Sequence, residues 1–264
     1  AASIGEEAAR PLVLMPGAGS GLVSFLPLAL YLQGRLPGRT IVLFRLPHVE
    51  IARPWSHLPQ WSELVPALIS GLGEVLCSDG GDGSACEFDL VAHSYGTAVA
   101  NRLLRELCAR QERGSLAPAG PALRLGYLGL IDPIVLGGAS TGLVGCINQA
   151  RPDIGFAFCA NRAGVTTKEV LDYEPLGYEQ CTRGVGVYAA DGDVLLDVHL
   201  ARELLSRYVP LAELVVDQTR FGFHGRWLVE LWCGGLAWGS PCASRCVGTL
   251  LRHLQAEKAL GIED

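Results

Sequence analysis

Six short, continuous apolar runs mark the chain: residues 12–15 (LVLM), 40–44 (TIVLF), 88–92 (FDLVA), 125–131 (LGYLGLI), 185–188 (VGVY) and 214–216 (LVV). Several stop at proline, glycine or aspartate, as Met15 does at Pro16-Gly17 and Ile131 at Asp132-Pro133. Their length and flanks fit strands buried on both faces of a parallel sheet. Between the runs the apolar spacing widens to steps of three and four. Over 97–110, Val99, Leu103, Leu104 and Leu107 share one face, while Arg102, Arg105 and Glu106 take the other. Over 61–76, Leu64, Leu68, Ile69 and Leu72 point inward in the same way. Shorter helical patterns cover 195–208 and 226–232, and the polar, Gly-rich stretches 78–84 and 114–121 read as loops. No internal repeat is present. This alternation predicts an α/β fold: a doubly wound, mostly parallel sheet of about six strands flanked by helices, in one domain spanning 1–264.

Residues 133–183 break the rhythm. Gly137, Gly138, Gly142 and Gly145 are followed by mixed polar and aromatic residues with no clean period. So long an irregular stretch inside a compact domain is either functional or a small subunit of its own. It reads as a lid or cap insertion, or as a structural excursion with short helices.

Composition narrows the class. Of 264 residues 49% are apolar and 18% charged, against roughly 25% charged in an average domain. That supplies a core and excludes an intrinsically disordered chain. The net charge of −6 gives no general attraction to nucleic acid or anionic membranes. The longest apolar run, residues 26–32, is far below the ~20 residues of a membrane-spanning helix. Nine cysteines, an odd number spread thinly, lack the density of a disulfide scaffold and favour a reducing compartment, the cytoplasm or an organelle interior. The chain opens on Ala1 rather than Met, as expected where an upstream segment, with any targeting signal, has been removed.

Candidate chemistry begins at Ala92-His93-Ser94-Tyr95-Gly96, after a buried-strand pattern and before an amphipathic helix. A serine on a tight strand-to-helix turn needs small residues two positions either side, because the backbones approach closely there; Ala92 and Gly96 meet that need. Its hydroxyl is then displayed at the C-terminal edge of the sheet, with the positive end of the helix dipole behind it. An ordinary turn serine shares the bare pattern, so its context carries the weight.

Three further features fall in order. Pro16-Gly17-Ala18-Gly19 follows the first strand, and backbone N–H groups in such a turn can hold the oxyanion of an acyl-transfer intermediate. Ala18 from that loop and Tyr95 from the elbow are the candidate donors. The same loop superficially suggests a nucleotide fingerprint, but its spacing is G-x-G-x-G and no Gly-Lys-Ser/Thr follows. Asp191 and Asp193, in Ala190-Asp191-Gly192-Asp193 after the fifth strand, offer a carboxylate to orient an imidazole, although Asp-Gly-Asp is also a common turn. His224, in Gly222-Phe223-His224-Gly225 beyond the last strand, is a general-base candidate. His93 reads as a packing residue, and His48, His57, His199 and His253 lack a comparable strand-end context. Ser…Asp…His is the chain order of one hydrolase class.

On the PGAGSG loop, the AHSYG elbow, the ADGD turn and the GFHG histidine, the chain resembles the α/β-hydrolase fold superfamily from about Pro11 through the helix after His224. The resemblance implies a serine esterase, lipase or related acyl hydrolase, with Ser94 as nucleophile, Asp193 as acid and His224 as base. It implies neither cofactor nor metal. It also leaves Asp132, in Leu130-Ile131-Asp132-Pro133, as a second position for the acid, because some lipases carry it one strand earlier. The chain departs from the superfamily pattern in having Pro16-Gly17 where His-Gly often opens the oxyanion loop, in lacking the first two strands of larger members, and in having Ala92 for the first glycine. Ile147, Phe156, Phe158 and Val165 in the lid segment favour a small apolar ester or a lipid-like substrate. The alternative from another class is a non-catalytic, receptor-like binding protein on the same fold.

Two other groupings were weighed. Cys233, Cys242, Cys246 and His253 lack the paired knuckles of zinc ribbons and read as free, buried cysteines. Trp55 and Trp61 follow the second strand, where they contact an apolar substrate or anchor a loop to the sheet, while Trp227, Trp232 and Trp238 pack a terminal helix or form an interface.

Overall fold

The structure, a computed structural model, describes residues 9–17, 21–47, 59–77, 85–113, 122–133, 182–190, 198–199, 202, 206, 212–217 and 245–259. Within them lie β1 (Leu12–Met15), α1 (Leu22–Arg35), β2 (Ile41–Leu43), α2 (Trp61–Leu76), β3 (Cys86–His93), α3 (Tyr95–Arg113), β4 (Leu123–Ile131), β5 (Gly184–Ala190), β6 (Glu213–Asp217) and α4 (Arg245–Ala259). The strands form a six-stranded sheet in the order β2-β1-β3-β4-β5-β6, and every neighbouring pair is parallel.

The apolar runs are continuous because both faces are covered. Val13 and Met15 of β1 join Leu68, Ile69 and Leu72 of α2 and Val99, Leu103 and Leu107 of α3 on one face. Leu12 and Leu14, one position out of phase, join Phe25, Leu28 and Leu32 of α1 and Val247, Leu250 and Leu254 of α4 on the other. The pleat sends alternate side chains to opposite faces, so a strand with a helix layer on each side has no polar position to spare.

The order of strands locates the functional edge. The chain builds β2 on one side of β1, then returns past β1 to build β3 to β6 on the other. Met15 pairs in register with Ala92, so the loop after β1 and the turn after β3 leave the sheet side by side. Ligands of open α/β sheets bind at such a reversal, beyond the strands' C-terminal ends.

Away from that edge, a buried ionic cluster ties the sheet together. The Arg39 guanidinium pairs with Asp89 and donates to the carbonyls of Arg10 (2.7 Å) and Leu254 (3.2 Å). Asp89 also accepts the Tyr127 amide (2.8 Å) and faces Arg10 Nε at 3.4 Å. Thus one carboxylate on β3 engages side chains or backbone from the start of β1, the approach to β2, and β4.

Two expectations change. Residues 22–35 form α1, which the periodicity did not mark as helical; Pro27 inside it reads as a breaker, and its apolar positions run almost all round. The cysteines are not uniformly reduced. Cys77, capping α2, and Cys86, opening β3, form a disulfide with Cα atoms 5.9 Å apart, and Cys108 is disulfide-bonded as well. The bond ties the end of α2 to the start of β3, a closure that sequence spacing alone does not reveal. Cys246 is buried, its thiol directed at the carbonyls of Ala189 and Val215 (3.6 Å each).

Candidate active site

The turn after β3 is built around a residue in an uncommon conformation. Ser94 has φ 51°, in the left-handed region that side chains other than glycine rarely adopt. Both sides of its backbone are held: its N–H donates to the Ile131 carbonyl (3.0 Å), and its carbonyl accepts the Thr97 N–H (2.9 Å) and hydroxyl (2.6 Å). Ser94 is partly exposed, whereas every residue from Val91 to His93 and from Tyr95 to Thr97 is buried. The chain presents one hydroxyl at the sheet edge and encloses its neighbours.

Two glycines make this possible. A Cβ at Gly96 would lie 2.6 Å from the Pro16 carbonyl oxygen and 2.7 Å from that of Met15. A Cβ at Gly17 would lie 2.8 Å from the Ser94 Cβ and 2.9 Å from His93 Nδ1. Backbone at the end of β1 therefore lies close against the turn, a neighbour that the sequence pattern did not identify.

Tyr95 opens α3, so its amide lies at the positive end of the helix. Its ring is buried and stacks on Trp61, the first residue of α2, with centroids 6.4 Å apart and planes 18° off parallel. The Arg102 guanidinium lies 5.7 Å from the Trp61 ring centroid. Burial pushes the Tyr95 phenol well above the ordinary tyrosine range. Trp61 thus anchors the elbow helix; Trp55 lies outside the described residues.

At the end of β4, Asp132 is a second non-glycine residue with positive φ, 43°, and its side chain is 0% exposed. Its amide donates to the Tyr188 carbonyl (2.8 Å), its Oδ1 accepts the Ala190 amide (3.3 Å), and its Oδ2 lies 3.9 Å from His93 Nε2. His93 is also buried, with its ring centroid 5.9 Å from that of Phe25 on α1. The sequence reading gave His93 packing alone. Its carboxylate partner escaped notice because the two residues belong to different strands, and only the β3–β4 register, His93 opposite Ile131, brings them together.

Of the residues singled out from sequence, Ser94 lies in the turn between β3 and α3 and Tyr95 opens α3. Ala18, Asp191, Asp193 and His224 lie outside the described residues, as does the stretch 133–183, expected to be a lid or cap, apart from Pro133, Thr182 and Arg183. The strands that precede them are described. β5 ends at Ala190 and β6 at Asp217, paired in register and parallel to β3, so both strands end at the edge that carries Ser94. His253 is engaged elsewhere: Nδ1 meets the hydroxyls of Tyr127 (2.9 Å) and Tyr188 (2.7 Å), and Nε2 meets Glu213 (2.8 Å). Cys246 faces β5 and β6, so these two members of the weighed metal set have separate partners. Among the described residues no helix is long and apolar enough to cross a membrane.

No family model matches the chain, and no curated protein matches its sequence. Solved structures do. An esterase of Pyrococcus furiosus is similar with 14% identity and a TM-score of 0.55, over 95% of this chain and 82% of the other. A lipase-esterase related protein of Clostridium acetobutylicum is similar with 14% identity and a TM-score of 0.51, over 86% and 92%. RedJ, a thioesterase of the prodiginine biosynthetic pathway in Streptomyces coelicolor, is similar with 18% identity and a TM-score of 0.50, over 95% and 87%. At such identities the likeness speaks to architecture, and with the all-parallel sheet it establishes that the chain has the α/β-hydrolase fold.

Proposed function

We propose that this protein is a serine hydrolase that cleaves a carboxylic ester or thioester of an apolar small molecule or lipid through an acyl-enzyme. The observation that carries the reading is the conformation of Ser94: φ 51°, partly exposed, in a turn where a Cβ on Gly17 would come within 2.8 Å of the Ser94 Cβ and one on Gly96 within 2.6 Å of the Pro16 carbonyl oxygen. Strained, non-glycine backbone persists only where the surroundings over-determine it, and such positions cluster at functional sites. The esterase and thioesterase neighbours support the same class.

In the proposed cycle His224 takes the Ser94 hydroxyl proton as the oxygen attacks the substrate carbonyl carbon. The amides of Ala18 and Tyr95 hold the oxyanion. Collapse breaks the bond to the leaving alcohol or thiol, which departs with the proton from His224. Water then attacks the acyl-enzyme, giving its proton to His224, and the free acid leaves as Ser94 recovers its hydrogen. Asp193 orients the imidazole, with Asp132 as the competing assignment. The apolar residues Ile147, Phe156, Phe158 and Val165 assign the substrate an apolar acyl or alcohol part.

Labelling with a fluorophosphonate, together with p-nitrophenyl esters and acyl thioesters of increasing chain length, tests the reading. Wild type is labelled and turns over, and Ser94→Ala does neither. A folded wild type that is neither labelled nor active supports the binding protein instead. Asp193→Asn and Asp132→Asn, made separately, identify the acid; full turnover in Asp193→Asn removes that assignment.

A further inference from the structure

We infer that the Cys77–Cys86 disulfide is a redox-sensitive fastener for α2, and that opening it loosens the turn that presents Ser94. Its effect on catalysis rests on the hydrolase reading, which it deepens. The two elements it joins match in length: α2, with 16 residues, spans ~24 Å, and β3, with 8, spans ~26 Å. They are fastened at opposite ends. Cys77, the residue after α2, is bonded to Cys86, the first residue of β3. Trp61, the first residue of α2, stacks on Tyr95, which follows Ser94 beyond the other end of β3, with ring centroids 6.4 Å apart. Strand β3, the Ser94 turn, the Tyr95–Trp61 stack, α2 and the disulfide thus close a circuit.

The disulfide holds the weaker end of the helix. Leu68, Ile69 and Leu72 share one buried cluster with Phe88 and Leu90 of β3, but in the last turn Glu74 and Val75 are exposed and Leu76 is only partly buried. The connecting residues 78–85, SDGGDGSA, contain no apolar side chain larger than that of alanine. Little apolar surface therefore secures this end, and the covalent bond restricts it instead. Both cysteines are partly exposed, whereas Cys108, the other disulfide-bonded cysteine among the described residues, is buried. A dithiol reductant accordingly reaches Cys77–Cys86 first. One thiolate of the dithiol attacks one sulfur of the bond, forming a mixed disulfide and releasing the other cysteine. The second thiolate displaces the remaining cysteine, so the dithiol becomes its own disulfide and its two electrons and two protons pass to the chain as two cysteine thiols. An oxidised dithiol reverses the exchange. With the bond open the last turn of α2 frays, and Trp61 at the far end becomes a less fixed support for Tyr95.

The test uses the whole chain oxidised, reduced with dithiothreitol and reoxidised, beside Cys77→Ser/Cys86→Ser kept without reductant. Differential alkylation with peptide mass mapping reports the state of Cys77, Cys86 and Cys108. Hydrogen exchange in α2, thermal unfolding and the rate of fluorophosphonate labelling report the consequences. On brief reduction Cys77 and Cys86 are expected to become alkylatable before Cys108, with faster exchange in the last turn of α2. The melting temperature should fall by about 5–10 °C and labelling should slow by about threefold or more. Reoxidation restores all of these, and the double variant matches the reduced chain. Free thiols at Cys77 and Cys86 in the oxidised chain, or exchange and melting unchanged by reduction, overturn the fastener. Faster exchange with an unchanged labelling rate overturns its link to Ser94. If the double variant does not fold, reduction and reoxidation of wild type decide alone. A folded wild type that is never labelled overturns the hydrolase reading, while exchange and melting still decide the fastener.

Discussion

The Ser94 amide donates to the Ile131 carbonyl at 3.0 Å, extending the β3–β4 pairing one residue beyond the last strand position and into the turn. The serine is thus held by the sheet while its φ of 51° swings the chain into α3.

Relief of this strain is measurable. Glycine tolerates the left-handed region, whereas a residue with a Cβ is disfavoured there by roughly 1 kcal/mol. Ser94→Gly is expected to melt about 2–4 °C above Ser94→Ala, with both variants inactive. Equal melting temperatures would show that the turn carries no strain.

Gly96 has the opposite sign. Its missing Cβ is opposed by two carbonyl oxygens at 2.6 and 2.7 Å, and backbone cannot step aside. Gly96→Ala should destabilise by more than about 2 kcal/mol and abolish labelling of Ser94. Gly248 inside α4 has nothing within 4 Å of its added Cβ, so Gly248→Ala should stabilise by roughly 0.5–1 kcal/mol. Denaturant midpoints of the two variants decide; shifts of the same sign would contradict the close approach at Gly96.

Removing the charge of Asp89 breaks its buried ion pair with Arg39, which is 6% exposed. Asp89→Asn is expected to cost about 3–5 kcal/mol, the range for a broken buried pair. Glu106→Gln, which breaks the more exposed pairs with Arg110 and Arg113, should cost under about 1 kcal/mol. Urea unfolding of both variants provides the comparison.

Alkaline pH acts through buried phenols. Burial pushes Tyr188 upward, opposed in part by its hydrogen bond with Tyr127, with lesser upward effects of Glu213 and Cys246 and a lesser downward one of Arg252, and burial pushes Tyr95 upward too. In the unfolded chain these phenols ionise near pH ~10, while the folded protein keeps their protons. The unfolded state then binds fewer protons, so the stability they contribute is complete below that pH and is lost as pH rises above it. Urea midpoints should fall steeply above about pH 10, and Tyr188→Phe should flatten the fall. Full tyrosinate absorbance in a still-folded protein at that pH would contradict the assignment.

Much of this was legible in the residues. The six apolar runs coincide with the six strands, and β1 agrees at both ends, because strands covered on both faces have no polar position to blur the pattern. α2 agrees at both ends and α3 within a few residues, since each buries one stripe and wets the other. α1 was hidden by Pro27 and by an apolar surface too broad to show a stripe. At the elbow, Ala92 and Gly96 announced the close approach, because only small residues fit it.

The order of residues by itself determined the class of fold and the strand-to-helix turn at Ser94, both consequences of local spacing and side-chain size. Tertiary structure alone decided that Cys77 meets Cys86, that Arg39 meets Asp89, and that His93 faces Asp132. Those contacts join residues from different elements. Strand order and register decide which of them become neighbours, and neither can be read from local spacing.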